Sequence, residues 1–288
     1  MKIALYTRQL KEQNREYILS LFQFIQKNNM ELFLCEELVE SDINNISKGV
    51  FINCLDIQQY KPDLVVSLGG DGTILDTVLL TKLTHTPVLG VNLGRLGFLA
   101  AVNKEDSFQA ILDFEVGANN IEERMLLEVN ANIPIFINEN IALNDLTFLR
   151  ANTSSMIEVT AYANGEFLNQ YTADGLIIST STGSTGYSLS CGGPILHPST
   201  NSFIITPIAP HNLNVRPIVL PDDTVLSFEI KGRTPEFLCT LDSRLTHITS
   251  QHIISVTKAK NKFYIYQPKD NNFWDALKEK LHWGRVCI

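Results

Sequence analysis

Glycine, hydroxyl and carboxylate residues gather at several places in this chain, in spacings that suit phosphate and sugar chemistry. In Gly69-Gly70-Asp71-Gly72-Thr73 the glycines let the backbone approach a ligand closely, and a carboxylate stands at the centre of the turn. Asn92-Leu93-Gly94-Arg95-Leu96-Gly97-Phe98 is a second glycine loop. Asn144-Asp145 sets an amide beside a carboxylate, a pair able to chelate two adjacent hydroxyls of a ribose, since one group accepts while the other also donates. After Asp174-Gly175 comes Thr180-Ser181-Thr182-Gly183-Ser184-Thr185-Gly186-Tyr187-Ser188, rich in backbone and hydroxyl donors of little bulk. Each stretch also has a plainer reading: a tight connection without ligand, a two-residue turn, a Ser/Thr-rich surface loop. Taken together they point to nucleotide chemistry.

Other chemistries are set aside by what the sequence lacks. It has no Gly-x-x-x-x-Gly-Lys-Ser/Thr phosphate loop and no Gly-x-Gly-x-x-Gly fingerprint. The five cysteines and six histidines show no metal-ligand spacing, so no metal site is expected, and scattered cysteines fit a reducing compartment. A net charge of −8 argues against a general nucleic-acid binder or an anionic-membrane binder. Neither a signal peptide nor a membrane span is read, so the expected location is the cytoplasm.

The elements that would position these residues follow from periodicity. Leu64 to Leu68 reads as a strand buried on both faces, and Ile74, Leu75, Val78 and Leu79 give the next segment helical spacing. Strand, glycine turn and helix together present backbone N–H groups and a helix N-terminus to phosphate. Strands are also expected at Lys2–Tyr6, Leu32–Cys35 and Pro87–Val91, with a helix carrying Leu10, Tyr17, Ile18, Leu21 and Ile25. From Ile121 the pattern changes to short strand-like runs, with Asn164-Gly165 as a hairpin turn. Phe273, Trp274, Leu277 and Leu281 form a final apolar stripe behind Asn272, a helix N-cap. The expected architecture is an α/β Rossmann-like domain over residues 1–120, completed by 270–288, and an all-β domain over 121–269. The C-terminal helix is expected to pack back on the first domain.

Gly69 to Thr73 alone resembles a motif shared by NAD kinases, lipid kinases of the diacylglycerol and sphingosine type and, in a variant, phosphofructokinases. Further stretches narrow the match: Asn92 to Leu99, Leu143-Asn144-Asp145, Ala173-Asp174-Gly175-Leu176-Ile177, Thr182 to Ser190 and Arg216-Pro217-Ile218-Val219-Leu220-Pro221. With them the chain is similar to bacterial NAD kinases from Met1 to about Trp283. The resemblance implies transfer of the γ-phosphoryl of ATP, or of polyphosphate, to the adenosine ribose 2′-hydroxyl of NAD. It implies Mg2+ arriving with ATP, an active site between two domains, and a homodimer or homotetramer.

Carried over by position, Asp71 is the catalytic base and Gly72 lies beside the ligand, while Gly69, Gly70 and Thr73 face the phosphate donor. Asn144 and Asp145 hold the adenosine portion and Asp174 sits on the nicotinamide side. Thr185, Gly186, Tyr187, Ser188, Ser190 and Ala209 line the dinucleotide site. Three departures stand out. Asp145 replaces a commoner Glu, and Ser181 and Gly186 replace Pro and Ala, which predicts a looser loop. Asp242-Ser243-Arg244 replaces a Gly or Ser followed by Gln, placing an extra charge near an expected ligand contact. The competing expectations are a lipid kinase and a nucleotide sensor without turnover.

Overall fold

The computed structural model describes residues 1–9, 11–35, 50–53, 57–94, 97–118, 120–152, 155–268 and 272–283. Leu10, Cys54, Arg95, Leu96 and Cys287, all weighed above, lie outside them. The chain divides into two compact units, Met1–Glu123 with Phe263–Ile288 and Arg124–Lys262.

The first unit opens with β1 (Lys2–Tyr6), α1 (Arg15–Lys27), β2 (Glu31–Cys35), β3 (Val50–Ile52) and α2 (Ile57–Tyr60). It continues through β4 (Leu64–Gly69), α3 (Asp71–Thr81), β5 (Val88–Asn92), β6 (Val102–Asn103) and α4 (Lys104–Glu115). The strands run in the order β5, β4, β1, β2, β3, every pairing parallel, with β6 also on β5. A parallel sheet carries helices on its faces, which explains why β4 is apolar on both sides and buried from Leu64 to Leu68. The spacing of Ile18, Leu21, Phe22 and Ile25 turns one face of α1 into a core shared with Ile3, Leu5, Val66 and Leu89. The sequence reading had no α4, because its mean polarity hides the stripe; Ser107, Ala110 and Ile111 are nevertheless buried.

The second unit contains β7 (Ile121–Ala131), β8 (Ile141–Ala142), β9 (Asp145–Arg150), β10 (Ile157–Ala163), β11 (Glu166–Ala173) and β12 (Gly175–Thr180). After α5 (Tyr187–Ser190) come β13 (Ser202–Ile208), β14 (Ile218–Pro221), β15 (Leu226–Gly232), β16 (Glu236–Leu241) and β17 (Arg244–Thr249). Strand β18 (Ile253–Tyr266) closes the unit, and α6 (Phe273–Leu281) follows in the first unit. Six strands form an antiparallel sheet in the order β14, β13, β12, β9, β16, β17. Strands β11, β10, β15 and the start of β18 pair in that order, also antiparallel. Asn164 and Gly165 take φ of 51° and 83°, the turn expected between β10 and β11. Phe148, Phe203, Phe228 and Phe237 are fully buried in this unit's core, each such burial contributing about 1.5–3 kcal/mol.

The all-β reading of this unit holds, with one local change. The apolar runs Ile253 to Thr257 and Phe263 to Tyr266 read as two short strands, yet β18 runs unbroken through both, because Lys258, Lys260 and Lys262 interrupt the apolar pattern without breaking the alternation. Asn144-Asp145 stands where β8 gives way to β9, with Asp145 the first residue of β9.

Helix α6 packs on the first unit, with Asn272 accepting a hydrogen bond from the Asp275 N–H at 3.0 Å as N-cap. Its packed face differs from the stripe expected. Ala276 and Leu277 are buried and Phe273 meets Phe98 at 6.5 Å between ring centroids, whereas Trp274 and Leu281 remain 59% and 39% exposed. The face that packs therefore runs Phe273, Ala276, Leu277, Lys280, at i, i+3, i+4 and i+7. Among the cysteines, Cys35 is disulfide-bonded, which the reading of scattered cysteines in a reducing compartment did not expect, and Cys191 and Cys239 are free thiols.

Candidate active site

In the first unit the site is built at the carboxyl ends of β4 and β5, where ligands gather in open parallel sheets. Gly70 is the N-cap of α3, with extended backbone (φ −110°, ψ −169°), so Asp71 becomes the first helical residue. Its carboxylate benefits from the helix dipole there. The second glycine loop turns out to be its seat. Phe98 N–H donates to Oδ2 at 2.8 Å, and Leu99 and Ala100 N–H donate to Oδ1 at 3.0 and 2.9 Å. A Cβ on Gly97 would lie 1.7 Å from Oδ1, so only glycine allows this approach. Lys280 Nζ stands 3.8 Å from Oδ2, within ion-pair range but too far for a hydrogen bond. Oδ2 thus keeps an acceptor direction for an incoming hydroxyl.

Beside this carboxylate lies a cleft of about 470 Å3, lined among others by Arg8, Lys11, Gly69, Gly70, Thr73 and Asn92. It contains the three residues expected to face a phosphate donor and adds two cations the motif reading missed. Arg8 reaches across Gly72 and pairs through Nε and Nη2 with both carboxylate oxygens of Asp76. The signal was present in the sequence: Arg8 and Lys11 directly follow the first strand of a parallel sheet.

The second unit brings the other expected residues into one neighbourhood. Thr180 N–H donates to the Asn144 carbonyl at 2.9 Å, and Thr180 Oγ1 to the Leu143 carbonyl at 2.5 Å. A Cβ on Gly183 would meet the Asn144 carbonyl oxygen at 2.2 Å, and the Cβ position of Gly186 is 3.6 Å from Asn144 Nδ2. The hydroxyl-rich stretch is therefore packed against Asn144, with Thr182–Thr185 a 3-10 turn and Ser181, Thr182 and Ser184 buried. Ser181 Oγ donates to the Thr200 carbonyl, which ties down the position where a looser loop had been expected.

Tyr187 and Ser190 are exposed, whereas Ser188 is buried with its hydroxyl 2.8 Å from Thr206 Oγ1. Asp174 is half-buried and ion-paired with Arg150 at 3.0 Å. Ala209 is exposed beyond β13 with a left-handed φ of 45°, a conformation rare for alanine.

The electrostatics of this neighbourhood are acidic. Burial pushes the Asp145 carboxyl up to about 7; the charge of Asp242 adds to this, while a hydrogen bond from Thr147 at 3.0 Å opposes it. Burial pushes the Tyr187 phenol up, and the charges of Cys191, Asp145 and Asp174 push the same way. Asp242 was weighed only for the residues after it, yet it organises the Asn144-Asp145 pair. Its carboxylate accepts the N–H groups of Leu143, Asn144 and Asp145 at 2.8, 2.9 and 3.1 Å. Burial raises its carboxyl, opposed by those three N–H groups and by Arg244. The guanidinium of Arg244 donates to the carbonyls of Glu139, Ile141 and Leu241. The extra charge at this departure is thus engaged by backbone. Among the described residues no group of three or more His, Cys, Asp or Glu is placed to hold a metal ion.

Family models for the ATP-NAD kinase N-terminal and C-terminal domains match residues 3–117 and 143–267. The chain is 42% identical over 289 residues to an NAD kinase of Cytophaga hutchinsonii, covering 99% of this chain and 98% of that protein. It is 40% identical over 296 residues to one of Flavobacterium johnsoniae, with the same coverage of 99% and 98%. A crystal structure of yeast NADH kinase complexed with NADH has a TM-score of 0.88 at 23% identity, covering 100% of this chain and 89% of that one. An NAD kinase from Archaeoglobus fulgidus in complex with ATP gives a TM-score of 0.77 at 21% identity, with 98% and 99% coverage. These two establish a shared fold.

Proposed function

This chain belongs to the NAD kinase family, and from that premise we propose that it transfers the γ-phosphoryl of ATP to the adenosine ribose 2′-hydroxyl of NAD, giving NADP. The observation that carries the mechanism is the seating of Asp71 at the head of α3, held by three N–H groups with one acceptor direction of Oδ2 left over. A secondary alcohol is a weak nucleophile at neutral pH. A carboxylate fixed within hydrogen-bond reach orients it and accepts its proton as transfer proceeds. A carboxylate is a weak base, so much of the gain comes from aiming the hydroxyl.

The remaining roles are those that the family resemblance implies. Gly69, Gly70 and Thr73, with Arg8 and Lys11 in the same cleft, receive the donor's phosphates, and Gly72 lies beside the reacting groups. Asn144 and Asp145 hold the adenosine ribose by paired donation and acceptance, and Asp174 serves the nicotinamide end. Thr185, Gly186, Tyr187, Ser190 and Ala209 line the dinucleotide site, while Ser188, turned toward Thr206, supports that loop from beneath. Mg2+ enters with the triphosphate, whose oxygens suit a hard cation. The protein acts as a homo-oligomer, either a homodimer or a homotetramer, in the cytoplasm. No described helix is long and apolar enough to cross a membrane.

The test offers Mg-ATP, and separately polyphosphate, with NAD, NADH, diacylglycerol or sphingosine, and measures NADP and lipid phosphate. NADP formation is expected; lipid phosphorylation without NADP, or NAD binding without turnover, overturns the reading. Asp71→Asn should bind NAD normally and lower kcat by roughly 10²–10⁴-fold. A drop of less than about tenfold would remove Asp71 from its role.

A further inference from the structure

Position 280 lies on the packed face of α6, at the spacing where an amphipathic helix puts an apolar side chain. Here that position is lysine, while its apolar neighbour Leu281 is left 39% exposed. Withdrawing an ammonium from water is costly unless it finds a partner, and Lys280 finds two. Its Nζ lies 3.8 Å from Asp71 Oδ2 and 4.5 Å from the centroid of the Phe98 ring. Phe98 is also the residue whose backbone N–H donates to that same Oδ2, at 2.8 Å. Carboxylate, backbone donor, ring and ammonium therefore form one closed circuit. Its remaining side is held by Phe273, at the start of α6, against Phe98. Arg8, also near this turn, is engaged with Asp76.

We propose that Lys280 is a positioning residue for phosphoryl transfer: its ammonium fixes the Asp71 carboxylate and offsets its charge as the donor's phosphates approach. The proposal rests on the reading of this chain as an NAD kinase that uses Asp71. A triphosphate brings several negative charges toward a carboxylate, and a neighbouring cation reduces that repulsion where charge is being transferred. The ammonium acts through Asp71 and contacts no substrate atom in this argument. Helix α6 thereby contributes to the chemistry as well as to packing.

The test compares wild type, Lys280→Met and Lys280→Arg in the NADP-forming assay, with melting temperature measured for each. Methionine keeps the stem over Phe98 and removes the charge; arginine keeps the charge. Lys280→Met is expected to lower kcat roughly 10–100-fold, with KM for NAD changed by less than about threefold. Its melting temperature should stay within about 3 °C of wild type. Lys280→Arg is expected to recover at least about a third of wild-type kcat. A Lys280→Met enzyme within about threefold of wild-type kcat overturns the proposal. So does an arginine variant as impaired as the methionine one, since that outcome assigns Lys280 to packing. Wild-type protein that forms no NADP would instead sink the functional reading on which the proposal rests.

Discussion

Replacing Asp145 by asparagine removes a buried acid whose proton is held far above its ordinary range. The structure supplies the magnitude: the carboxyl stands at about 7 instead of 3.8, with burial the largest cause and Asp242 the second. That displacement corresponds to on the order of 4 kcal/mol of folding free energy. The sign follows from proton counting. Between about pH 4 and pH 7 the folded chain keeps a proton that the unfolded chain has released, so stability falls as pH rises through this window. Above about pH 7 the cost is complete, and below about pH 4 it is absent.

Asparagine carries no such cost, and its amide oxygen can still accept from Thr147. The Asp145→Asn protein should therefore melt higher than wild type at about pH 8, by several °C, and the gap should shrink steadily toward about pH 5. Thermal unfolding followed across that range is the assay. Activity should move the other way. If ionised Asp145 accepts from a ribose hydroxyl, the wild-type KM for NAD falls as pH rises through about 7, and the variant's stays flat and higher. A melting difference that does not depend on pH would refute the placement of Asp145 in a buried, like-charged pair with Asp242.

Gly97→Ala drives a methyl against Asp71 Oδ1, so it should lower kcat by roughly 10²–10³-fold while NAD affinity, measured by calorimetry, is little changed; full activity would mean that Asp71 works from another position. Ala209→Gly relieves a left-handed strain of about 1–2 kcal/mol and loses about 0.4–1 kcal/mol to the freer unfolded chain, so it should stabilise the protein by roughly 1 kcal/mol at most, read from the denaturation midpoint; a clear loss of stability would mean that the φ of 45° is not the folded state in solution.

The parts legible from sequence were those whose local chemistry has one structural outcome. The apolar run Leu64 to Leu68 reads as a doubly buried strand, Asn164-Gly165 as a tight hairpin turn, and the spacing of Ile74, Leu75, Val78 and Leu79 as a helix. What escaped were elements whose pattern is diluted by polarity. Residues Arg244 to Thr249 form β17 with only Ile248 buried, and α4 opens on Lys104, Glu105 and Asp106. The candidate residues were found from motif spacing, but their supports were not. Asp242 lies nearly a hundred residues from the N–H groups it binds, and Lys280 about two hundred from Asp71. Such partnerships are set by tertiary packing, to which no local period refers. The second glycine loop shows the same limit: Asn92 and Gly94 line the cleft, but Gly97 is required because a carboxylate of the protein itself approaches there.

The first unit is discontinuous in sequence, and this has a consequence for how the chain is made. Residues 1–123 leave the ribosome well before α6, carrying both glycine loops and Asp71. All of Arg124–Lys262 must then be synthesised before α6 exists, which at ~5–20 residues per second takes on the order of ten seconds. Throughout that interval the nascent first unit lacks Phe273 against Phe98 and has no ammonium beside its carboxylate. A ribosome-bound fragment ending before Phe273 would carry the motif and still lack the completed centre. The completed centre thus forms only once α6 has been made.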